Sequence, residues 1–108
     1  MNIDFNAPNK CDFIGYLNEL PELRKTENGV PYMNFDLDIV RYYDKKDGRK
    51  GKDRVTASFE VWDTAAEYIA EKAVEGDRLW VTTSLKNDTD RTVFRVNKFK
   101  ILKKKVND

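Results

Sequence analysis

The sequence predicts an all-β domain that carries a single α-helix. Several segments alternate apolar and polar residues with a period of two, which is typical of strands that bury one face. Only the segment from Thr64 to Glu75 has apolar residues at helical spacing. Turn-forming residues separate these segments. A chain of 108 residues has the size of one domain with one hydrophobic core.

The first two strands are predicted on either side of a hairpin turn. Lys10 to Asn18 is the first strand, and its central Gly15 indicates a bulge or bend that lets the strand serve two sheets. Asn28-Gly29 predicts a two-residue turn, because both residues tolerate the positive φ angles that such turns need. The core face of the long second strand is predicted to consist of Met33, Phe35, Leu37 and Ile39.

The third strand, Arg54 to Trp62, leads directly into the helix. Its core-facing residues are predicted to be Val55, Ala57, Phe59 and Val61. Trp62 ends the opposite, polar face, and two interpretations stay open: it is a contact site, or it packs under the helix. A capping-box pattern predicts Thr64 as the helix N-cap, and Gly76 is predicted to follow the helix as its C′ residue.

The last two strands are predicted at Arg78 to Lys86 and Arg91 to Leu102. In the fifth strand the apolar residues change phase, which predicts a bulge near Asn97 or Lys98. Five strands with one helix between the third and the fourth are the element order of a Greek-key barrel of the oligonucleotide/oligosaccharide-binding (OB) class. We expect this domain to span residues 10–102, with a flexible arm at 1–9 and a frayed tail at 103–108.

Composition restricts the chemistry of the domain. The chain contains no histidine and only one cysteine, Cys11, so ordinary zinc sites and Ser-His or Cys-His catalysis are excluded. Carboxylate-only catalysis remains open, but no pair of acids stands out. We therefore expect neither an enzyme, nor a cofactor, nor a small-molecule substrate. No apolar run is long enough to cross a membrane, and a lone cysteine fits a cytoplasmic location.

Basic residues are concentrated between the second and third strands. The net charge is only +1, yet the segment from Arg41 to Arg54 holds seven basic and three acidic residues. Aromatic rings stack on nucleobases, and basic side chains contact phosphates. The candidate phosphate contacts are Arg41, Lys45, Lys46, Arg49, Lys50, Lys52 and Arg54. The candidate stacking residues are Tyr42, Tyr43 and Trp62.

Three segments resemble bacterial and phage-type single-stranded DNA-binding proteins. Residues 9–17 resemble the opening strand of that family. Pro21 to Pro31, followed by Asn34-Phe35, is similar to its second motif. The segment from Trp62 to Gly76, followed by Asp77 to Val81, is similar to its aromatic, helix, glycine and strand pattern. The likeness spans about residues 9–102 and does not include the acidic Pro-Phe tail of the family.

The resemblance implies a cytoplasmic homo-oligomer, a dimer or tetramer, in a bacterial nucleoid or a phage-infected cell. Such a protein binds single-stranded DNA with little sequence preference in replication, recombination or repair. The resemblance places Trp62 and Tyr43 at aromatic positions of the family, and Thr56 where many members carry Trp. The family often carries an aromatic residue on the last hairpin, which is short in this chain. The resemblance implies that Trp80 or Phe94 takes the place of that residue.

An alternative hypothesis is an OB-fold protein–protein module, such as a primosome-like or accessory subunit, with weak DNA affinity. Asp36 and Asp38 favour it, because two carboxylates on the outward face of the second strand would repel phosphates. The loss of an aromatic platform at Thr56 favours it as well. A carboxylate-only enzyme is the third and most remote hypothesis.

Overall fold

A computed structural model describes residues 8–102 of the chain. Its elements in chain order are β1 (Cys11–Leu17), β2 (Arg24–Lys25), β3 (Pro31–Asp44), β4 (Lys50–Trp62), α1 (Asp63–Lys72), β5 (Arg78–Asp88) and β6 (Arg91–Leu102). The expected tail at 103–108 and residues 1–7 of the expected arm lie outside the described residues. Within the described part there is no helix long and apolar enough to cross a membrane.

Five long strands close into a barrel, as the sequence predicted, and the two-residue β2 lies beside β3. The strand order is β1-β5-β6-β4-β3-β2, and an additional pairing of β1 with β3 completes the ring. All neighbouring strands run antiparallel except β4 and β6, which pair in parallel at Phe59 and Phe94. The helix connects β4 to β5, between the third and fourth long strands.

Gly15 lies where β1 passes from one neighbour to the other. It pairs with Leu79 of β5, and the next residue, Tyr16, already pairs with Asp38 of β3. A Cβ atom at Gly15 would lie 2.8 Å from the carbonyl oxygen of Asp38 and 2.9 Å from Cβ of Leu37. Only glycine leaves room for this close approach, which closes the barrel.

The core lies inside the barrel and under the helix. Phe59 is at its centre, with ring centroids 5.3 Å from Phe13, 5.6 Å from Phe35 and 6.0 Å from Phe94. The predicted core residues Met33, Phe35, Leu37 and Val61 are buried, while Ile39 and Ala57 pack at the margin. The prediction was wrong for Val55, which is 58% exposed, because β3 and β4 continue as a two-stranded arm beyond the barrel.

The helix ends differ from the predicted caps. Trp62, in extended conformation, occupies the N-cap position without a side-chain capping bond, so Thr64 is not the cap. The helix ends at Lys72 rather than Glu75. Gly76, with a φ of 89°, belongs to a later turn, in which the Asp77 N–H donates to the Val74 carbonyl. It is therefore not the C′ residue of the helix.

The first hairpin contains Gly29 but not the predicted two-residue turn. The Gly29 N–H donates to the Thr26 carbonyl, and the Thr26 N–H donates to Val30, which leaves a three-residue loop. Gly29 has φ of 84°, whereas Asn28 is not among the residues with positive φ. This loop is a turn followed by a left-handed glycine. In the last hairpin the predicted bulge is confirmed, because Thr82 pairs with Lys98 and Thr83 with Val96, which leaves Asn97 as the extra residue.

Candidate functional site

The outward surface of the β3–β4 ladder carries most of the residues that the sequence singled out. Its register runs without a shift from the Tyr32–Trp62 pair to the Tyr42–Lys52 pair, so the even-numbered residues of both strands share one face. We call this surface the β3–β4 face. It consists of Tyr32, Asn34, Asp36, Asp38, Val40 and Tyr42 on β3 and Lys52, Arg54, Thr56, Ser58, Glu60 and Trp62 on β4.

An aromatic stack forms one end of the β3–β4 face. The rings of Tyr32 and Trp62 are stacked, with centroids 5.1 Å apart and planes 24° apart. The guanidinium carbon of Arg95 lies 5.4 Å from the Trp62 ring centroid. The indole Nε1 of Trp62 is buried and has no hydrogen-bond partner among the described residues. Trp62 is thus half-buried against Tyr32 and Arg95, and part of the aromatic surface at this end belongs to Tyr32.

Glu60, next to this stack, is neutralised by Arg95 of the neighbouring strand β6. The Nε of Arg95 donates to Oε1 of Glu60 at 2.6 Å, and the Glu60 side chain is only 8% exposed. One arginine thus contacts both the carboxylate and the indole ring of Trp62. Neither Tyr32 nor Arg95 was among the candidate site residues predicted from the sequence. Alternation within the hairpin would have placed Tyr32 opposite Trp62, whereas Arg95 comes from a strand that only the barrel topology brings close.

The two aspartates in the middle of the face have different surroundings. Asp38 accepts hydrogen bonds from the Thr56 hydroxyl at 2.8 Å, from Arg54 at 2.6 Å and from the Asn18 amide at 3.2 Å. The bonds from Thr56 and Arg54 are the main causes that lower the pKa of Asp38 from its ordinary value of 3.8. Asp36 accepts a bond from the Ser58 hydroxyl at 2.6 Å and has no cationic partner among the described residues.

The opposite end of the face lies on the two-stranded arm. Tyr42 is 69% exposed and pairs with Lys52 across the ladder. Tyr43 points to the other side of the arm, where its ring covers Gly51 so closely that a Cβ there would lie 2.3 Å from Tyr43 Cζ. The guanidinium carbon of Arg41 lies 5.6 Å from the Tyr43 ring centroid. The two neighbouring tyrosines therefore do not form one platform.

Four of the seven predicted phosphate-contact residues are already paired with carboxylates. Arg41 pairs with Asp53 and Arg54 with Asp38, both at 2.6 Å, and Arg49 pairs with Asp47 at 3.4 Å. Lys50 pairs with Asp44. Within residues 8–102, the predicted phosphate contacts without an ion pair are Lys45, Lys46 and Lys52. Fewer cations of the basic arm are therefore free to contact a phosphate than its sequence indicated.

Trp80 is not brought together with the other candidate stacking residues. It lies on β5, opposite Ile14 of β1 and Lys100 of β6, and is 42% exposed. Ile14 and Tyr16 are exposed on the same surface. Phe94, the other candidate substitute, packs in the core with its centroid 5.2 Å from that of Phe13. Neither residue lies on the β3–β4 face, although Phe94 borders it from β6.

A groove of about 420 Å³ runs from the middle of the β3–β4 face to the start of β6. Its polar wall includes Asn34, Asp36, Ser58 and Glu60. Val93, Phe94 and Arg91 lie on the β6 side. The described residues contain no group of three or more potential metal-ligating side chains. An aromatic end, a polar middle and a basic arm together make the β3–β4 face of this OB-fold domain a candidate binding surface.

Comparison with known proteins identifies the family. The model of the single-strand binding protein family matches residues 8–107, so the chain belongs to this family. A single-stranded DNA-binding protein of Mycobacterium leprae is 35% identical over 81 residues, which cover 73% of this chain and 48% of that protein. One from Halalkalibacterium halodurans is 33% identical over 91 residues, which cover 80% and 53%. The chain thus spans about half the length of these curated relatives.

Solved structures share the fold. A Plasmodium falciparum SSB in complex with ssDNA superimposes with a TM-score of 0.74 over 95% of this chain and all of that chain, at 17% identity. A small single-stranded DNA-binding protein from Streptomyces coelicolor gives a TM-score of 0.69 over 89% of this chain and 95% of its own, at 16% identity. These likenesses confirm the OB barrel that the strand order predicted.

Proposed function

We propose that this chain binds single-stranded DNA along the β3–β4 face, without catalysing a reaction, and that it serves DNA replication, recombination or repair. The observation that carries the proposal is the continuous register of β3 and β4. It places the Tyr32–Trp62 stack and the Tyr42–Lys52 pair on one face of one rigid ladder. Membership of the family and the names of the curated relatives support the same function.

Base stacking is assigned mainly to the two ends of the face. A flat ring under a nucleobase contributes about 1–3 kcal/mol whatever the base, since every base has a π-face. Trp62 with Tyr32 supplies one platform, and the exposed ring of Tyr42 supplies the other. Tyr43 could stack on a base only if its ring moved away from Gly51, which it covers. The proposal leaves Trp80 outside the path of the strand.

Phosphate binding is assigned first to the lysines that have no intramolecular partner. Lys45, Lys46 and Lys52 can displace counterions from the strand directly. Arg41, Arg49, Lys50 and Arg54 must first exchange a carboxylate of the chain for a phosphate. The pairs of Arg41, Arg49 and Lys50 are exposed, and such pairs contribute little to stability, so their exchange costs little. Arg54 is held more firmly, because the side chain of Asp38 is only 14% exposed.

A titration tests the proposed function. Fluorescein-labelled oligo-dT is followed by anisotropy with the whole chain, and a duplex of equal length serves as the competitor. We expect binding that is tighter to the single strand and that weakens steeply from 50 to 300 mM salt. Equal affinity for duplex and single strand, or no binding at low salt, would refute the proposal.

One observation favours a second candidate, the protein-interaction module. Ile14, Tyr16 and Trp80 form an exposed apolar area on the outer surface of β1 and β5, which adjoins the β3–β4 face where Tyr16 pairs with Asp38. The same area supports our proposal that the chain forms a homo-oligomer. Sedimentation of the wild type and of Trp80→Lys discriminates: a homo-oligomer that the substitution dissociates supports self-association. If the wild type and Trp80→Lys are both monomers, the result favours a different protein as the partner of this apolar area. For either role we propose a cytoplasmic location.

A further inference from the structure

The middle of the β3–β4 face carries a carboxylate that does not suit phosphate binding. Asp38 and Glu60 are each paired with an arginine at 2.6 Å, whereas Asp36, which lies between them on the ladder, has only the Ser58 hydroxyl. Its side chain is exposed and lines the 420 Å³ groove. Because like charges repel, a strand that crosses this point is expected to present a base rather than a phosphate to the Asp36 side of the groove, whereas Arg91 lies on the β6 side.

A carboxylate distinguishes bases by the hydrogen bonds that it can accept. Ionised aspartate is an acceptor only. The 4-amino group of cytosine is a donor, whereas the 4-oxo group of thymine or uracil is an acceptor and is repelled. In a single strand the Watson–Crick edge that carries these groups is free to be read. One oxygen of Asp36, Oδ1, is held by Ser58, and this bond fixes the carboxylate while Oδ2 stays available.

The groove supplies the remaining contacts that a pyrimidine needs. The Asn34 side chain lies two residues before Asp36 on the same face and can donate to the ring N3 or O2 of cytosine. Val93 and Phe94 supply an apolar side to the groove, against which the ring can lie. A volume of about 420 Å³ is sufficient for one nucleobase together with its water.

We propose that Asp36 is a specificity-determining residue, which accepts a hydrogen bond from the 4-amino group of cytosine in the groove beside Asn34 and Ser58. The chain then prefers cytosine-containing single strands to those with only thymine or uracil. This inference rests on the proposed function, because it assigns base selectivity to the same face. The Asp36 carboxylate, whose charge disfavours a phosphate, thereby contacts a base instead.

The test compares oligo-dC with oligo-dU at pH 8, using strands of equal length. Deoxyuridine differs from deoxycytidine only in the exchanged groups at ring positions 3 and 4, and it lacks the thymine methyl. We expect oligo-dC to bind about fivefold more tightly, the ratio that one additional hydrogen bond gives. In Asp36→Asn the amide can donate as well as accept, so the ratio should fall to within about twofold of unity as affinity for oligo-dU rises.

Asp12→Asn is the matched control. Asp12 accepts a bond from the Thr82 hydroxyl at 2.6 Å, the same contact that Asp36 makes with Ser58, but it lies on β1. The control removes the same charge and must keep the dC/dU ratio of the wild type. If oligo-dC and oligo-dU bind equally well to the wild type, or if Asp36→Asn leaves the ratio unchanged, the inference is wrong and the proposed function stands. If neither strand binds, the proposed function itself fails.

Discussion

Arg54 donates from Nη2 to Oδ2 of Asp38 at 2.6 Å, across the ladder from β4 to β3. Thr56 and Asn18 donate to the other oxygen of the same carboxylate. This network connects the residue after β1 with the middle of the β3–β4 face, and it neutralises one of the two aspartates on that face. The two aspartates therefore have different roles.

The first prediction concerns the pH dependence of stability. The pKa of Asp38 is lowered in the folded state, mainly by the Thr56 and Arg54 bonds, so its contribution is fully present above the unfolded pKa of 3.8. It is lost as the pH falls through the lowered folded pKa. Urea denaturation should show that the stability difference between the wild type and Asp38→Asn shrinks below pH 3.8. A difference that stays constant from pH 7 to pH 2 would contradict the assignment.

The second prediction concerns the salt dependence of DNA binding. Asp53→Asn frees Arg41 from its ion pair and adds one available cation to the arm. We expect tighter binding to oligo-dT at low salt and a slope of log Kd against log salt that is steeper by about 0.7, the value for one phosphate on a single strand. The control is Glu71→Gln on α1, which removes the same charge from the longer Glu71–Lys72 pair at 3.7 Å. If Asp53→Asn binds no more tightly than Glu71→Gln and has the same slope, the prediction is wrong, because removal of the Asp53 carboxylate would then add no phosphate contact at Arg41.

The third prediction concerns Tyr32, which the sequence analysis did not single out. Tyr32→Ala removes the partner of Trp62 and should weaken binding to oligo-dT by about 1–3 kcal/mol, the usual loss for a stacking residue. Tyr68→Ala is the control, because Tyr68 is an exposed tyrosine that lies outside the β3–β4 face, on α1 beside Phe99. Melting temperatures measured in parallel separate lost contacts from lost folding. An equal loss of affinity in both variants would remove Tyr32 from the site.

The fourth prediction separates two glycines that lie close to other atoms. Gly15→Ala places a Cβ 2.8 Å from the main-chain oxygen of Asp38, so the barrel must distort, at a cost of about 1–3 kcal/mol. Gly51→Ala meets the Tyr43 ring instead, which can rotate away, so we expect a loss below about 1 kcal/mol. Urea midpoints of both variants check this order. The reverse order would mean that the Tyr43–Gly51 contact, rather than the β1–β3 crossing, is the rigid one.

The barrel could be predicted from the sequence because the patterns of apolar and polar residues that define its strands lie within each strand. Alternation along β3 identified Met33, Phe35 and Leu37 as core residues, and the phase change in β6 predicted a bulge near Asn97 or Lys98, which the structure has at Asn97. Local patterns failed where an element extends beyond the core. Val55 keeps the right phase, but the arm offers nothing to bury it. The capping-box pattern at Thr64 failed because β4 runs directly into the helix through Trp62.

The candidate site was less predictable because its chemistry depends on contacts between distant residues. Asp38 appeared unfavourable for DNA binding until the register placed Arg54 and Thr56 beside it. The Glu60–Arg95 pair joins residues that are 35 positions apart, and it requires the position of β6 in the barrel. Conversely, Arg41 and Asp53 are close enough in the hairpin for their pairing to be read from the sequence, once the loop length is known.

The location of the binding face is the central claim, and the two tryptophans of the chain test it directly. Trp80→Phe leaves Trp62 as the only indole, and Trp62→Phe leaves Trp80. On addition of oligo-dT at low salt, we expect strong fluorescence quenching in Trp80→Phe, because a base stacks at the Tyr32–Trp62 end, and little change in Trp62→Phe. Strong quenching of Trp80 with an unaffected Trp62 would place the DNA on the β1–β5 surface and contradict the account.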